Sequence, residues 1–117
     1  MVKNYIPERG DIIWIEFNPQ AGKEQAGHRP AIVLSEKRYN QIVGLLIVCP
    51  ITSKEKGYPF EVKINLKEVS GVILADHVKN FDWVERKATF ITKAPDTLVD
   101  EVINIINTII DKKNSSL

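Results

Sequence analysis

Residues 10–35 read GDIIWIEFNPQAGKEQAGHRPAIVLS and contain two apolar segments separated by a polar stretch. In the first segment, residues 10–17, Ile13 and Ile15 fall on one face of an extended chain and Ile12 falls on the other. This alternation, together with the abundance of β-branched and aromatic residues, predicts a strand with one buried face.

The second segment, residues 30–35, is continuously apolar, which is typical of a central strand that is covered on both faces. Residues 18–27 lie between the two segments and contain one proline and two glycines, so they predict a long exposed loop. A basic pair, His28 and Arg29, stands where this loop meets the second strand. Because Pro30 follows Arg29, the arginine backbone is expected to be extended.

The rest of the chain continues this pattern until its last quarter. Short apolar runs predict further strands over residues 44–52, 60–64, 71–76, 77–80 and 89–93. The polar stretch over residues 36–41 is expected to form a helical turn. Apolar residues then recur at helical spacing, at Leu98, Val102, Ile105, Ile106 and Ile109. Pro95 is expected at the first helical position, and Lys112 and Lys113 at the C-terminal end. These patterns predict an α+β, mainly β fold: a small, closed or half-closed antiparallel β-barrel with a C-terminal α-helix.

Composition narrows the class of protein. The chain has 117 residues, which suits a single domain over residues 1–117 with one core. Its net charge of +1 excludes a global field that would attract nucleic acid or membrane, so any anion must bind to a local cluster. The one cysteine, Cys49, lies in an apolar run and is expected to be a buried, inert thiol. No signal peptide or membrane span is evident, and we expect a cytosolic protein.

Arg29 and His28 are the first candidates for chemistry. A guanidinium offers a planar fork of donors that fits a phosphate or a carboxylate, so Arg29 either binds an anion or forms an ion pair with Glu24, Glu16 or Asp76. His28 is either a proton carrier beside a bound phosphate or a solvated loop histidine. The two histidines lack the spacing of a metal site, and we expect no metal and no cofactor.

A second group of candidates follows the strand over residues 44–52. The hydroxyls of Thr52 and Ser53 can either bind a phosphate oxygen or cap the next turn. That turn carries Lys54, Lys56 and Tyr58, and basic residues interleaved with an aromatic ring suit single-stranded nucleic acid, although many such turns are only solvated. His77 lies in an apolar region and is expected to be structural.

Three stretches together resemble a known family. They are RGDIIWIEFNPQAGKEQAGHRPAIVLS, CPITSKEKGYPFEV and GVILADHVKNFDW, at residues 9–35, 49–62 and 71–83. In order and spacing they strongly resemble the MazF/PemK family of toxin endoribonucleases, over about residues 5–110. The resemblance implies an SH3-like barrel with a C-terminal helix.

The resemblance also implies an activity and partners. The arginine of the family's R-P-A motif and the threonine of its P-x-T motif form the catalytic pair and match Arg29 and Thr52. Such enzymes cut single-stranded RNA without metal or cofactor, by attack of the ribose 2′-OH on the adjacent phosphate. They act as homodimers and are inhibited by a cognate MazE-like antitoxin, whose flexible acidic tail occupies the RNA groove.

Further roles follow from physical reasoning on this resemblance. A guanidinium remains protonated at neutral pH, so we expect His28 or Glu24 to carry protons instead of Arg29. Uncovered bases are expected to stack on Tyr58, Phe17 or Trp14. We assign RNA binding to Phe17, Gln25, Lys54, Lys56, Tyr58 and Lys79. Two other functions stay open: a non-catalytic barrel that binds nucleic acid or peptide, and a gyrase-directed toxin of the CcdB type.

Overall fold

A computed structural model describes residues 5–19, 22 and 26–112. Over these residues the elements follow the order β1 (Asp11–Glu16), β2 (His28–Val33), α1 (Lys37–Val43), β3 (Leu45–Thr52), β4 (Glu61–Asn65), β5 (Ser70–Leu74), β6 (Lys79–Asp82), β7 (Thr89–Lys93) and α2 (Asp96–Ile110). The strands form one antiparallel sheet in the order β4-β5-β3-β2-β1-β7, and β6 also pairs with β3. The prediction of a mainly β half-barrel with a C-terminal helix is confirmed.

Strand β3 curls the sheet because it changes partners along its length. Its first four residues pair with β6, from Leu45 opposite Asp82 to Val48 opposite Lys79. Its last two residues pair with β5, where Thr52 lies opposite Val72. Strand β2 runs along the other edge of β3. Thr52 therefore ends β3 at the place where the sheet opens.

The sheet is covered on both faces, which explains the apolar runs in its strands. On one face Ile12, Ile32 and Cys49 join a core that α2 covers with Val99 and Val102. On the other face a second core consists of Ile13, Ile15, Phe17, Ala31, Val33, Leu46 and Val48. The central position predicted for β2 is confirmed. The prediction that β1 has only one buried face is wrong at Ile12, which is fully buried because α2 closes that side of the sheet.

Helix α2 follows the predicted apolar stripe. Val102 is fully buried, and Leu98, Ile105 and Ile106 pack against the same core, whereas Ile109 is 38% exposed. Pro95 lies one position before the helix, with an extended ψ of 147°, so it caps the helix instead of opening its first turn. Lys112 lies beyond the end of the helix, and Lys113 is outside the described residues. None of the helices in the described part of the chain is long and apolar enough to cross a membrane.

Candidate active-site cleft

A cleft with a volume of about 970 Å³ lies where β2 begins and β3 ends. Its walls come from both of these strands, from the segment that follows β3 and from β5 with the turn after it. The lining residues are His28, Arg29, Pro30, Ile51, Thr52, Ser53, Lys54, Lys56, Tyr58, Glu61, Ser70, Leu74 and His77. Six of the residues that the sequence singled out as candidates for catalysis or RNA binding therefore line one cleft, namely His28, Arg29, Thr52, Lys54, Lys56 and Tyr58.

Arg29 and Thr52 lie two residues beyond the last pair that β2 and β3 form with each other. The register of β2 and β3 matches Val33 with Val48 and Ala31 with Pro50. The same register, continued by two residues, would set Arg29 opposite Thr52. Because side chains two residues apart share a face of a strand, both of these side chains lie on the same face of the sheet.

The Arg29 side chain is anchored at one nitrogen. Its Nε donates a hydrogen bond of 2.8 Å to the backbone carbonyl of Ala26, which fixes the plane of the guanidinium at the start of β2. Neither Glu16 nor Asp76 forms an ion pair with it, and the third alternative, Glu24, lies outside the described residues. Arg29 is half-buried, which lowers the screening of its charge by water.

Thr52 is nearly buried, with 9% of its surface exposed. Its Oγ1 accepts a hydrogen bond of 3.2 Å from the backbone N–H of Lys54. The Thr52 hydroxyl therefore caps the turn, as one of the two sequence interpretations predicted. A hydroxyl that accepts one bond still has its own proton to donate, and binding of a phosphate oxygen by Thr52 stays a prediction.

The segment after Thr52 is held by a carboxylate. Glu61 accepts hydrogen bonds from the backbone N–H groups of Lys56 (2.9 Å) and Gly57 (2.8 Å). Lys54 and Lys56 are exposed, and neither ammonium group forms an ion pair with another described residue. Together with Arg29 they make one wall of the cleft cationic.

His28 is exposed at the entrance of the cleft and contacts an aromatic ring. The rings of His28 and Trp14 meet edge to face, with 5.5 Å between their centroids. Trp14 is 43% exposed on β1, so its ring is accessible next to the histidine. The sequence prediction of an accessible ring at Trp14 therefore agrees with its position.

Two further lining residues, Tyr58 and His77, lie next to the same carboxylate, that of Asp76. The Tyr58 hydroxyl donates a hydrogen bond of 2.6 Å to Asp76 Oδ1, and His77 Nε2 lies 3.9 Å from the same oxygen. Burial, followed by the bond to Asp76, raises the pKa of Tyr58 well above its usual value. His77 therefore lines the cleft, although the sequence had indicated a purely structural histidine. The sequence had indicated Tyr58 for RNA binding and Asp76 only as a partner of Arg29, so the pairing of Tyr58 with Asp76 was not predicted.

Two of the predicted RNA-binding residues, Phe17 and Lys79, lie outside the cleft. Phe17 is 2% exposed and packs edge to face on Phe81 with 5.1 Å between centroids, so its ring is part of the second core and is not available to a base. Lys79 begins β6 opposite Val48 and does not line the cleft. Gln25, like the predicted catalytic Glu24, lies outside the described residues.

Cys49 is a buried thiol, as predicted. It is fully buried in the first core, and burial, together with the charge of Asp76, raises its pKa to about 12. Among the residues that the structure describes, no three His, Cys, Asp or Glu side chains converge as metal ligands.

Comparison with known protein families gives a match over most of the chain. The family model for PemK-like, MazF-like toxins of type II toxin–antitoxin systems matches residues 8–110. The endoribonuclease toxin MazF of Escherichia coli K12 is 52% identical over 89 residues, which cover 76% of this chain and 80% of that protein. The endoribonuclease toxin ChpB of the same organism is 35% identical over 117 residues, which cover 95% of this chain and 100% of that protein.

Solved structures agree with these matches. MazF from Deinococcus radiodurans superposes with a TM-score of 0.88 at 45% sequence identity, covering 92% of this chain and 98% of that one. The MazE–MazF complex from the same organism includes a chain that superposes with a TM-score of 0.83 at 44% identity, covering 93% of this chain and 99% of that one.

Proposed function

The chain belongs to the family of PemK-like, MazF-like toxins of type II toxin–antitoxin systems, and on that premise we propose that it cleaves single-stranded RNA in the cleft between Arg29 and Thr52. The chain is an endoribonuclease toxin, like its relatives MazF and ChpB. The observation that supports this site is that Arg29, on β2, and Thr52, at the end of β3, line one cleft together with Lys54 and Lys56.

The proposed reaction is a transesterification. The 2′-oxygen of a ribose attacks the adjacent phosphorus, and the bond from phosphorus to the 5′-oxygen of the next nucleotide breaks. One proton leaves the 2′-hydroxyl and one proton is delivered to the departing 5′-oxygen. The products are a 2′,3′-cyclic phosphate and a 5′-hydroxyl.

In this proposal Arg29 and Thr52 stabilise the negative charge of the transition state. Negative charge grows on the non-bridging phosphate oxygens in the transition state, and fixed donors at those oxygens lower the barrier most. The guanidinium supplies charge-assisted hydrogen bonds and the Thr52 hydroxyl supplies a neutral one. The bond from Arg29 Nε to Ala26 supports this role, because it orients the guanidinium before RNA binds.

His28 is the proposed proton carrier. It stands next to Arg29 in the chain, lines the same cleft and is accessible to solvent. Imidazole exchanges protons readily in neutral solution, whereas a guanidinium keeps its proton. Glu24 remains the second candidate for this role. We further propose a cytoplasmic location, since that is where messenger RNA would meet the cleft.

The proposed partners are an antitoxin and a second copy of the chain. The solved MazE–MazF complex supports binding of a MazE-like antitoxin with a flexible acidic tail, for which the cationic wall of the cleft is suited. Exposed apolar side chains such as Ile42 (70%) and Val84 (66%) support a homodimer, because they leave apolar surface to be covered. Light scattering at micromolar concentration should report twice the chain mass of 13.3 kDa, and a monomer would contradict the dimer.

Cleavage in EDTA tests the proposed chemistry. Purified protein is incubated with a single-stranded RNA in EDTA, and the ends of the fragments are analysed. We expect full cleavage with cyclic phosphate and 5′-hydroxyl ends. The Arg29→Ala variant, purified in the same way, controls for contaminating nucleases. Activity that disappears in EDTA and returns with a divalent ion would contradict a metal-independent reaction. Binding without cleavage would favour a non-catalytic barrel instead.

A further inference from the structure

We infer that Asp76 is a positioning residue for RNA binding: its carboxylate holds the Tyr58 ring in place as one wall of the cleft. This inference rests on the proposed function, in which RNA occupies the cleft. Asp76 itself does not line the cleft, but both side chains next to its Oδ1, Tyr58 and His77, do.

The first argument is the geometry of the bond. The Tyr58 hydroxyl and Asp76 Oδ1 are 2.6 Å apart, and the two residues are separated by 18 positions in the chain. The bond therefore joins the segment after β3 to the turn after β5. Backbone bonds to Glu61 fix this segment at Lys56 and Gly57, but they do not fix the direction of the next side chain. The bond to Asp76 does so.

The second argument is that the direction of this bond does not change. The Tyr58 phenol keeps its proton because its pKa is raised, first by burial and then by Asp76 and Glu61. An ionised carboxylate only accepts, so the tyrosine is always the donor and the ring is held by a charge-assisted bond. The ring also packs against Phe60 in an edge-to-face contact, with 6.1 Å between centroids. A ring fixed at its hydroxyl and by a neighbouring ring presents a defined surface on which a base can stack.

The third argument concerns charge. The cleft faces an RNA backbone with Arg29, Lys54 and Lys56, and a carboxylate near these cations opposes RNA binding through its charge alone. Removal of Asp76 should therefore tighten binding if the residue had only an electrostatic effect. If the residue positions Tyr58, its removal should weaken binding. The two explanations predict opposite signs.

The experiment measures binding and cleavage for four variants. Binding uses an RNA with a 2′-deoxyribose at the cleaved position, so that affinity can be read whether or not the protein cuts. Asp76→Ala and Tyr58→Phe each remove the bond, and we expect each to raise Kd and KM about 3- to 10-fold with kcat nearly unchanged. Asp76→Asn keeps an acceptor oxygen and should restore most of the affinity. Both single variants break the same hydrogen bond, so the double variant Asp76→Ala/Tyr58→Phe should have a Kd no higher than that of either single variant.

A matched control removes the same charge elsewhere. Glu101 is exposed on α2, and Glu101→Ala should leave Kd unchanged. Unchanged or tighter RNA binding by Asp76→Ala would overturn the inference. So would a double variant in which the effects of the two single variants on Kd multiply. A wild-type protein that binds this RNA but cuts no RNA would contradict the proposed reaction and leave the positioning result readable.

Discussion

A Cβ atom added at Gly71 would lie 2.2 Å from the backbone carbonyl oxygen of Thr52. Gly71 belongs to β5, and its φ of +137° is a conformation that side-chain-bearing residues rarely adopt. Two independent constraints, the close contact and the backbone angle, therefore require glycine directly behind the threonine of the candidate site. The end of β3 can approach β5 this closely only because residue 71 has no side chain.

Gly71→Ala should therefore disturb both stability and cleavage. We expect a loss of about 3 kcal/mol or more in the free energy of unfolding, because the clash adds to the backbone strain. Gly44→Ala is the matched control, since Gly44 has a φ of +80° but no atom within 4 Å of an added Cβ. The control should cost about 1–2 kcal/mol and leave cleavage intact. Urea unfolding and RNA cleavage by the folded fraction measure both effects, and equal losses in the two variants would show that the contact with Thr52 is unimportant.

Arg29→Ala should abolish most cleavage and leave the fold intact. The side chain lies at the solvent end of β2, so its removal opens no core cavity. The loss of a charge-assisted contact to the transition state should reduce kcat about 100-fold or more. Thr52→Ala should give a smaller loss, about 10-fold, because a neutral hydroxyl contributes less. Arg38→Ala on α1 removes the same charge from an exposed site outside the cleft and should cleave normally.

Normal cleavage by a folded Arg29→Ala protein would contradict this prediction, because other residues of the cleft would then have to catalyse the reaction. Thermal unfolding of each variant separates loss of activity from loss of structure. Thr52→Ser keeps the hydroxyl and should restore cleavage relative to Thr52→Ala.

The sequence predicted most of the strands because local pattern and tertiary environment agree there. The continuous apolar run of β2 indicated a central strand, and β2 lies between β1 and β3. The period change after Pro95 indicated α2. The alternation in β1 failed at Ile12, because whether a residue on the second face is buried depends on a helix that lies about 90 positions later in the chain.

The candidate site was predictable only where one short motif contained the residues. Arg29 and Thr52 were candidates because each is a polar residue at the end of an apolar strand, and their pairing as catalytic residues came from the family resemblance. Gly71 did not stand out, and Asp76 was considered only as a partner of Arg29, since their roles depend on contacts with Thr52 and Tyr58 across the sheet. Phe17 was misassigned because an aromatic ring at a strand end has the same local pattern whether it faces the core or a ligand. Its contact with Phe81 arises from β6, far along the chain.

Cys49 predicts how stability depends on alkaline pH. Its folded pKa is about 12, raised from an ordinary thiol value of 9.0 by burial and by the charge of Asp76. Below pH 9 the thiol is protonated in both states and its contribution to stability is fully present. As the pH rises above 9, the unfolded chain releases the proton and the folded chain keeps it, so stability falls until about pH 12. Between pH 8 and pH 10 the free energy of unfolding should fall by about 1–2 kcal/mol from this group.

Urea unfolding of wild-type protein and Cys49→Ala at pH 8 and pH 10 measures this effect. The cavity in Cys49→Ala lowers the free energy of unfolding by the same amount at both pH values. The informative quantity is therefore the change in this free energy between pH 8 and pH 10, which should be smaller in the variant than in the wild type. In addition, a thiol reagent at pH 8 should leave the folded protein unmodified and react after unfolding. Rapid modification of the folded protein would contradict a buried, protonated thiol.

RNA and an acidic antitoxin segment should compete for the cationic wall of the cleft. Arg29, Lys54 and Lys56 are the donors that a phosphate chain needs, and carboxylates of a disordered acidic segment can use the same donors. Both ligands should therefore bind more weakly as salt increases. A double variant Lys54→Ala/Lys56→Ala should weaken the binding of both ligands. For RNA, the slope of log K against log salt concentration should become shallower by roughly 0.7 per lost phosphate contact.

Lys67→Ala, at an exposed turn between β4 and β5, removes a charge outside the cleft and should affect neither ligand. The measurement titrates an RNA with a 2′-deoxyribose at the cleaved position against a labelled acidic peptide, with fluorescence anisotropy as the readout. Release of the peptide with an inhibition constant equal to the Kd of the RNA is the expected result, because each ligand must displace the other from the same cations. If both ligands bound at once without loss of affinity, the antitoxin segment would have to occupy another surface, and inhibition would require a change in the cleft transmitted through the sheet.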